Sequence, residues 1–142
     1  MIEVQNITDP LTQETAFRIR REVFVGEQHV PAEAEYDGYE KTSRHFLAYT
    51  DGEPCGAARW RFTDKGIKLE RFAVLKQYRC RSVGSALVEA VLNDIRNHPQ
   101  FNDKPIYLHA QVSAMPLYAK FGFRPVGDLF FECDIGHYKM EL

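Results

Sequence analysis

Residues 69–87 read LERFAVLKQYRCRSVGSAL, and the change of pattern inside this stretch decides the fold. Through Leu75 it reads as a buried strand. From Gly84 the period becomes helical: Leu87, Ala90, Val91 and Ile95, with Ala86, Val88 and Leu92 alongside, make a broad apolar face that stops before Pro99. The loop between them, Arg79 to Ser85, can aim several backbone N–H groups at one point. Those orphan donors, the positive end of the helix dipole and the two arginines favour a phosphate or pyrophosphate, and Gly84 lets a ligand approach the backbone. The competing reading is a solvated basic turn before an ordinary helix. The loop has neither the Gly-Lys-Ser/Thr ending of a Walker A motif nor the GxGxxG spacing of a dinucleotide site, which disfavours nucleoside triphosphates and NAD.

Working outward, IKLERFAVL (67–75) is the third of three antiparallel strands. HFLAYT (45–50), the turn pair Asp51-Gly52 and CGAARWRFT (55–63) form a hairpin, and a second turn at Asp64–Gly66 leads into the third strand. Upstream, residues 1–7 read as a strand. Thr8 or Asp9 as N-cap and Pro10 at the first helical position open a helix to about Val25, with Ala16, Ile19 and Val23 on its apolar stripe. Residues 26–41 lack sustained periodicity. Downstream, PIYLHAQ (105–111) is a strand, SAMPLYAKF (113–121) a short helix closed by Gly122, and residues 124–140 hold one or two strands.

The 142 residues carry a formal charge of -2, which gives no support to a nucleic-acid partner, and no linker or repeat divides them, so one domain over 1–142 is expected. Three separated cysteines, Cys55, Cys80 and Cys133, suit a reducing compartment. With no basic head and apolar core at the N-terminus and no membrane-length apolar run, a cytoplasmic protein away from membranes is expected. The five histidines share no metal-ligand spacing, the serines lack a G-x-S-x-G elbow, and no metal is predicted.

Arg79–Gly84, R-C-R-S-V-G, resembles the Q/R-x-x-G-x-G/A signature of the GNAT superfamily of acyl-CoA-dependent N-acyltransferases. It matches at the first and last positions, while Ser82 and Cys80 stand where that family usually and frequently has glycine. LERFAV before it and LYAKFGF after it resemble the family's cofactor-binding strand and tyrosine-bearing helix, in the expected order. VFVGEQHVPAEAEYD (23–37) is similar to a small bacterial subgroup with ElaA-like and YjcF-like members. The resemblance implies an α/β fold whose mixed, mainly antiparallel sheet is splayed between the IKLERFAVL and PIYLHAQ strands and flanked by helices. It further implies acetyl-CoA as cosubstrate and direct acetyl transfer to the primary amine of a small molecule or peptide.

On the same resemblance, the backbone of Phe72, Ala73 and Val74 pairs with the pantetheine arm as an added strand would. Arg79, Cys80, Arg81, Ser82, Val83, Gly84 and Ser85 hold the pyrophosphate, and Tyr118 protonates the departing thiolate. The alternative for Tyr118 is a core aromatic with its hydroxyl satisfied by backbone. Glu70 and His109, on the strands flanking the acetyl group, are candidate bases, although alternation can equally aim them at solvent or core. Glu27, Gln28 and Gln111 are candidate acceptor-pocket residues. Cys80, between two arginines before a helix N-terminus, is a candidate reactive thiol, but an inert thiol facing the core is the leading expectation. The acids Glu33, Glu35, Asp37 and Glu40 can attract a cationic amine, but for most of them a solvated loop is the expectation.

Two rival readings fit the same residues. One is a non-catalytic acyl-CoA-binding module of the same fold, suggested by the two missing glycines. The other is a nucleic-acid binder using Arg59, Arg61, Arg71, Arg79 and Arg81, which needs a continuous basic face. A monomer and a homodimer are equally compatible with the sequence.

Overall fold

A computed structural model describes residues 1–142. Strand β1 (Ile2–Ile7) leads to helix α1 (Pro10–Arg20), capped as expected by Asp9, whose carboxylate accepts from the Thr12 N–H at 3.0 Å. The helix does not stop near Val25 but continues as a π-helical turn, Arg21–Glu27, and a short α2 (Ala32–Glu35) follows. Three strands come next, β2 (Arg44–Thr50), β3 (Glu53–Thr63) and β4 (Gly66–Val74), joined by the two turns read from the sequence. Helix α3 (Val83–Arg96), β5 (Ile106–Gln111), α4 (Met115–Ala119) and the hairpin β6 (Arg124–Glu132) and β7 (Ile135–Glu141) complete the chain.

All seven strands form one sheet in the order β1-β2-β3-β4-β5-β7-β6, and only the β4–β5 pair is parallel. This is the mixed, mainly antiparallel sheet that the family resemblance implied. The β4–β5 pairing runs only from Ile67↔Ile106 to Leu69↔Leu108 and then stops, so the sheet splays at its centre. At the closed end of the wedge a Cβ on Gly66 would lie 2.3 Å from the Pro105 carbonyl oxygen, so only glycine permits this approach. Just beyond, β4 carries a bulge opposite Ala57–Arg59 with Arg71 at φ 59°, which ends regular pairing and turns the strand.

The two faces of the sheet differ. Val83, Leu87, Val88, Val91, Leu92 and Ile95 of α3 pack with Ala58, Trp60, Leu69 and Leu108 in the main core. The opposite face is apolar only under α1, where Ala16, Ile19 and Val23 meet Leu47, Ala57 and Ala73. Elsewhere its strands alternate polar residues outward: Arg59 and Arg61, Lys68 and Glu70, His109 and Gln111, His137 and Lys139.

Arg59, with no exposed surface, is the pivot of that face. Its guanidinium donates to Glu70 at 2.9 Å, to Glu40 at 2.7 Å and to Asp37. Arg20, also buried, bonds Glu35 at 2.7 Å and Glu40 at 2.8 Å, and Arg71 reaches Asp37 at 3.1 Å. The expectation of a solvated acidic loop is therefore corrected for Glu35, Asp37 and Glu40. Each neutralises an arginine that would otherwise be buried without a counter-charge, and together they tie residues 35–40 down onto the sheet.

Arg59→Leu is expected to cost about 3–5 kcal/mol, the usual effect of stranding buried charges; urea unfolding measures it. Burial alone would raise the Asp37 carboxyl, but Arg59, the Tyr39 N–H and Arg71 outweigh that and hold it at about 2; Glu70 is held at the same level by Arg61, Arg59 and Lys68 against its own burial. Because the folded values lie below the unfolded ones, this stabilisation is complete above the ordinary carboxylate range. It drains away as pH falls through that range towards about 2. The urea midpoint should follow that fall, and the variant, lacking the central cation, should follow it less steeply.

Candidate active site

The splay opens a cleft of about 740 Å³. One wall is the β4 edge from Lys68 to Val74; the other is β5 with the segment that leads into α4, and the loop before α3 closes one end. Past Leu69 no strand pairs with β4 on its β5 side, so alternate backbone groups of residues 72–74 face the opening. The Val74 carbonyl is one of them, and Arg79 Nε donates to it at 3.0 Å.

At the loop the helix begins without a side-chain cap, and the N–H groups of Val83, Gly84 and Ser85 have no acceptor within the protein. Cys80 and Ser82 adopt left-handed backbone at φ 61° and 69°. These are the two positions where the resembled signature carries glycine, so the chain keeps the loop's shape with residues that pay about 1–2 kcal/mol for it. Gly84 lines the cleft, but an added Cβ would point at Leu117 Cδ2, 3.2 Å away. The missing side chain thus leaves room for Leu117 of α4 at the cleft wall. Arg79, Cys80, Ser82, Val83 and Ser85 line the cleft as well, whereas Arg81 does not.

Tyr118 enters the cleft from α4 and packs edge-on to Phe72 and Phe123, with ring centroids 5.8 and 6.1 Å away. No protein group bonds its hydroxyl, so the alternative of a phenol satisfied by backbone does not describe it. Burial pushes its pKa well above the ordinary phenol value and keeps it proton-loaded at neutral pH.

Glu70 also lines the cleft, but Arg59, Arg61 at 2.7 Å and Lys68 at 3.0 Å surround its carboxylate. Held at about 2, it is a poor proton acceptor, which argues against the role of base read from the sequence. His109 is better disposed. Its Nδ1 lies 3.2 Å from Glu132 Oε1, which orients the ring and leaves Nε2 free. The His109 bond is the main reason the Glu132 carboxyl sits below its usual value. Phe130 meets the His109 ring edge-on and stacks on His137, whose Nδ1 is 2.7 Å from the Ile135 carbonyl. Neither Glu132 nor His137 carries a local sequence signal for this site, because only register across β5, β7 and β6 brings them near His109.

Gln28 and Gln111, 83 positions apart, exchange amide hydrogen bonds of 2.8 and 3.3 Å at the cleft wall. Glu27 lies outside the lining and pairs with Arg79 at 2.7 Å. With Arg59, Arg61, Arg71 and Arg79 all paired to acids, these arginines form no free basic face. Cys55 is buried and Cys133 exposed; Cys80 is exposed at the cleft, which corrects the expectation that its thiol faces the core.

The sequence pattern of the acetyltransferase (GNAT) domain matches residues 7–142. The uncharacterized N-acetyltransferase YjcF of Bacillus subtilis is 40% identical over 126 residues, 88% of each chain. The crystal structure of Escherichia coli ElaA superposes with a TM-score of 0.86 at 30% identity over 99% of both chains. That of an acyl-CoA N-acyltransferase from Pseudomonas aeruginosa gives 0.82 at 27% identity over 99% of this chain and 97% of its own.

Relief of the left-handed strain gives a direct measurement. Ser82→Gly is expected to leave stability unchanged or to raise it by up to about 1 kcal/mol, and Ser82→Val to lower it by about 1 kcal/mol or more; thermal unfolding distinguishes the two directions.

Proposed function

Because this chain belongs to the GNAT acetyltransferase family, we propose that it transfers an acetyl group from acetyl-CoA directly to a primary amine. The observation that carries the proposal is the meeting, in one cleft, of an unpaired β4 edge and an uncapped helix N-terminus. An edge of that kind suits the amide groups of a pantetheine arm, and the free N–H groups of Val83, Gly84 and Ser85 suit a pyrophosphate. Arg79 lines the same cleft and adds positive charge beside them once it exchanges Glu27 for the ligand.

In this scheme the amine nitrogen attacks the thioester carbonyl and His109 Nε2 takes the proton it sheds, the imidazolium being stabilised by Glu132. The C–S bond then breaks, and the departing thiolate takes the proton of the Tyr118 hydroxyl. Burial raises that phenol's pKa, which keeps it protonated at neutral pH but makes it a weaker acid, so the proton moves to sulfur together with C–S cleavage and not ahead of it. Glu70 acts as a fixed negative charge that holds Arg61 and Lys68 in position. No covalent acyl-enzyme is required. The alternative of a non-catalytic binder drew on the two missing glycines, and the left-handed Cys80 and Ser82 remove that motive.

Thiol release from acetyl-CoA against a panel of amines tests the reading, and release no faster than without amine would refute it. In an active pair, Tyr118→Phe is expected to lower kcat tenfold or more with acetyl-CoA affinity nearly unchanged, and His109→Gln to lower kcat/KM by about 10²–10⁴. Steady-state kinetics and calorimetry read the two separately.

A further inference from the structure

A second, smaller cavity of about 260 Å³ opens on the polar face beside the cleft, and Lys68 and His109 line both. It is walled mainly by polar groups, with Arg61, Lys65, Lys68 and Lys139 set against a single acid, Asp64. Neighbouring carboxylates offset only part of this charge: Glu70, Glu141 and, near Lys68, Glu132. Arg61 and Lys68 share one counter-ion, Glu70, which also serves Arg59. Lys139 reaches Glu141 at 3.2 Å in a half-exposed pair, and Lys65, also on the cavity wall, has no carboxylate partner. Across the connected ion network, Arg20, Arg59, Arg61, Lys68 and Arg71 face only Glu35, Asp37, Glu40 and Glu70. Arg61 and Lys68, at the cavity end of that network, keep donor hydrogens beyond those that Glu70 accepts. Tyr107 Oη, bonded to Thr63 Oγ1 at 2.7 Å, adds a hydroxyl to the wall.

We propose that this cavity receives a carboxylate or phosphate carried by the acceptor, so that the amine substrate is anionic at its far end. The inference rests on the acyltransferase reading and names the substrate class of that site. Lys68 stands two residues from Glu70 and four from Phe72 on β4, about 7 and 13 Å along a strand. Because His109 itself lines the cavity, an anion held there stays within reach of the nitrogen that His109 deprotonates, so acceptors of several chain lengths fit.

Matched pairs of acceptors test this: aminohexanoate against hexylamine, lysine against cadaverine, and aminoethyl phosphate against ethanolamine. With acetyl-CoA, the anionic member of at least the longer pairs is expected to show a kcat/KM about tenfold higher or more. In the double variant Lys65→Met, Lys139→Met, chosen because neither lysine is buried, that ratio should collapse towards one. Calorimetry with aminohexanoate on both proteins is read alongside, and the variant should bind it about tenfold more weakly. Equal turnover of both members of each pair, or a ratio retained by the variant, overturns the anion cavity while leaving amine acetylation intact. Binding of aminohexanoate that depends on the two lysines, without thiol release from any amine, refutes acyl transfer and keeps the cavity. Absence of both overturns both.

Discussion

A guanidinium with no surface exposed to water has to carry its own neutralising charge, and Arg59 obtains it from two separate parts of the chain. Glu70 stands across from it on β4, while Asp37 and Glu40 arrive on a segment with little regular structure of its own. That segment must fold back over the sheet or leave a buried charge unpaired, a cost of several kcal/mol. Once it is down, it holds Arg20 of α1 and Arg71 of the β4 bulge as well. The position of α1, the shape of the bulge and one wall of the cleft thus depend on a single side chain. The same pairing fixes the charge of Glu70 and so separates the electrostatic role of that carboxylate from the proton chemistry beside His109.

The regular elements were legible because their signals are local. Asp9-Pro10 starts a helix, Asp51-Gly52 turns a hairpin, and the apolar face of α3 declares itself within 14 residues. The π-helical turn at Arg21–Glu27 was hidden, since its composition differs little from that of an ordinary helical turn. The β6–β7 turn was hidden too: Cys133 and Asp134 both sit at positive φ without a glycine or asparagine to announce it. The acids at 35–40 look like a solvated run because the arginines they serve lie at positions 20, 59 and 71, and no periodicity within the loop reports on them.

The candidate site was legible as a set of places more than as a set of roles. Tyr118, His109, Gln28 and Gln111 all reach the cleft, while Glu27 and Arg81 stand outside it. Glu132 could be found only by following the antiparallel register from β5 through β7 to β6. The loop teaches a related lesson about motifs. A signature glycine records a backbone conformation, and Cys80 and Ser82 reproduce that conformation with other side chains at an energetic cost. Comparing letters alone understates the match.

The unpaired stretch of β4 has a consequence for the protein's solubility. Open strand edges at the rim of a sheet invite pairing with other chains and are a common start of aggregation. Here the exposed backbone lies in the middle of the sheet, inside a wedge pinned shut at Gly66 and Pro105 and flanked by α3 and α4. A slender flexible molecule can slide along it. A second polypeptide, which would have to bring side chains on both faces of its strand, meets the walls first. The geometry that exposes hydrogen-bonding groups to a small ligand therefore also screens them from other proteins.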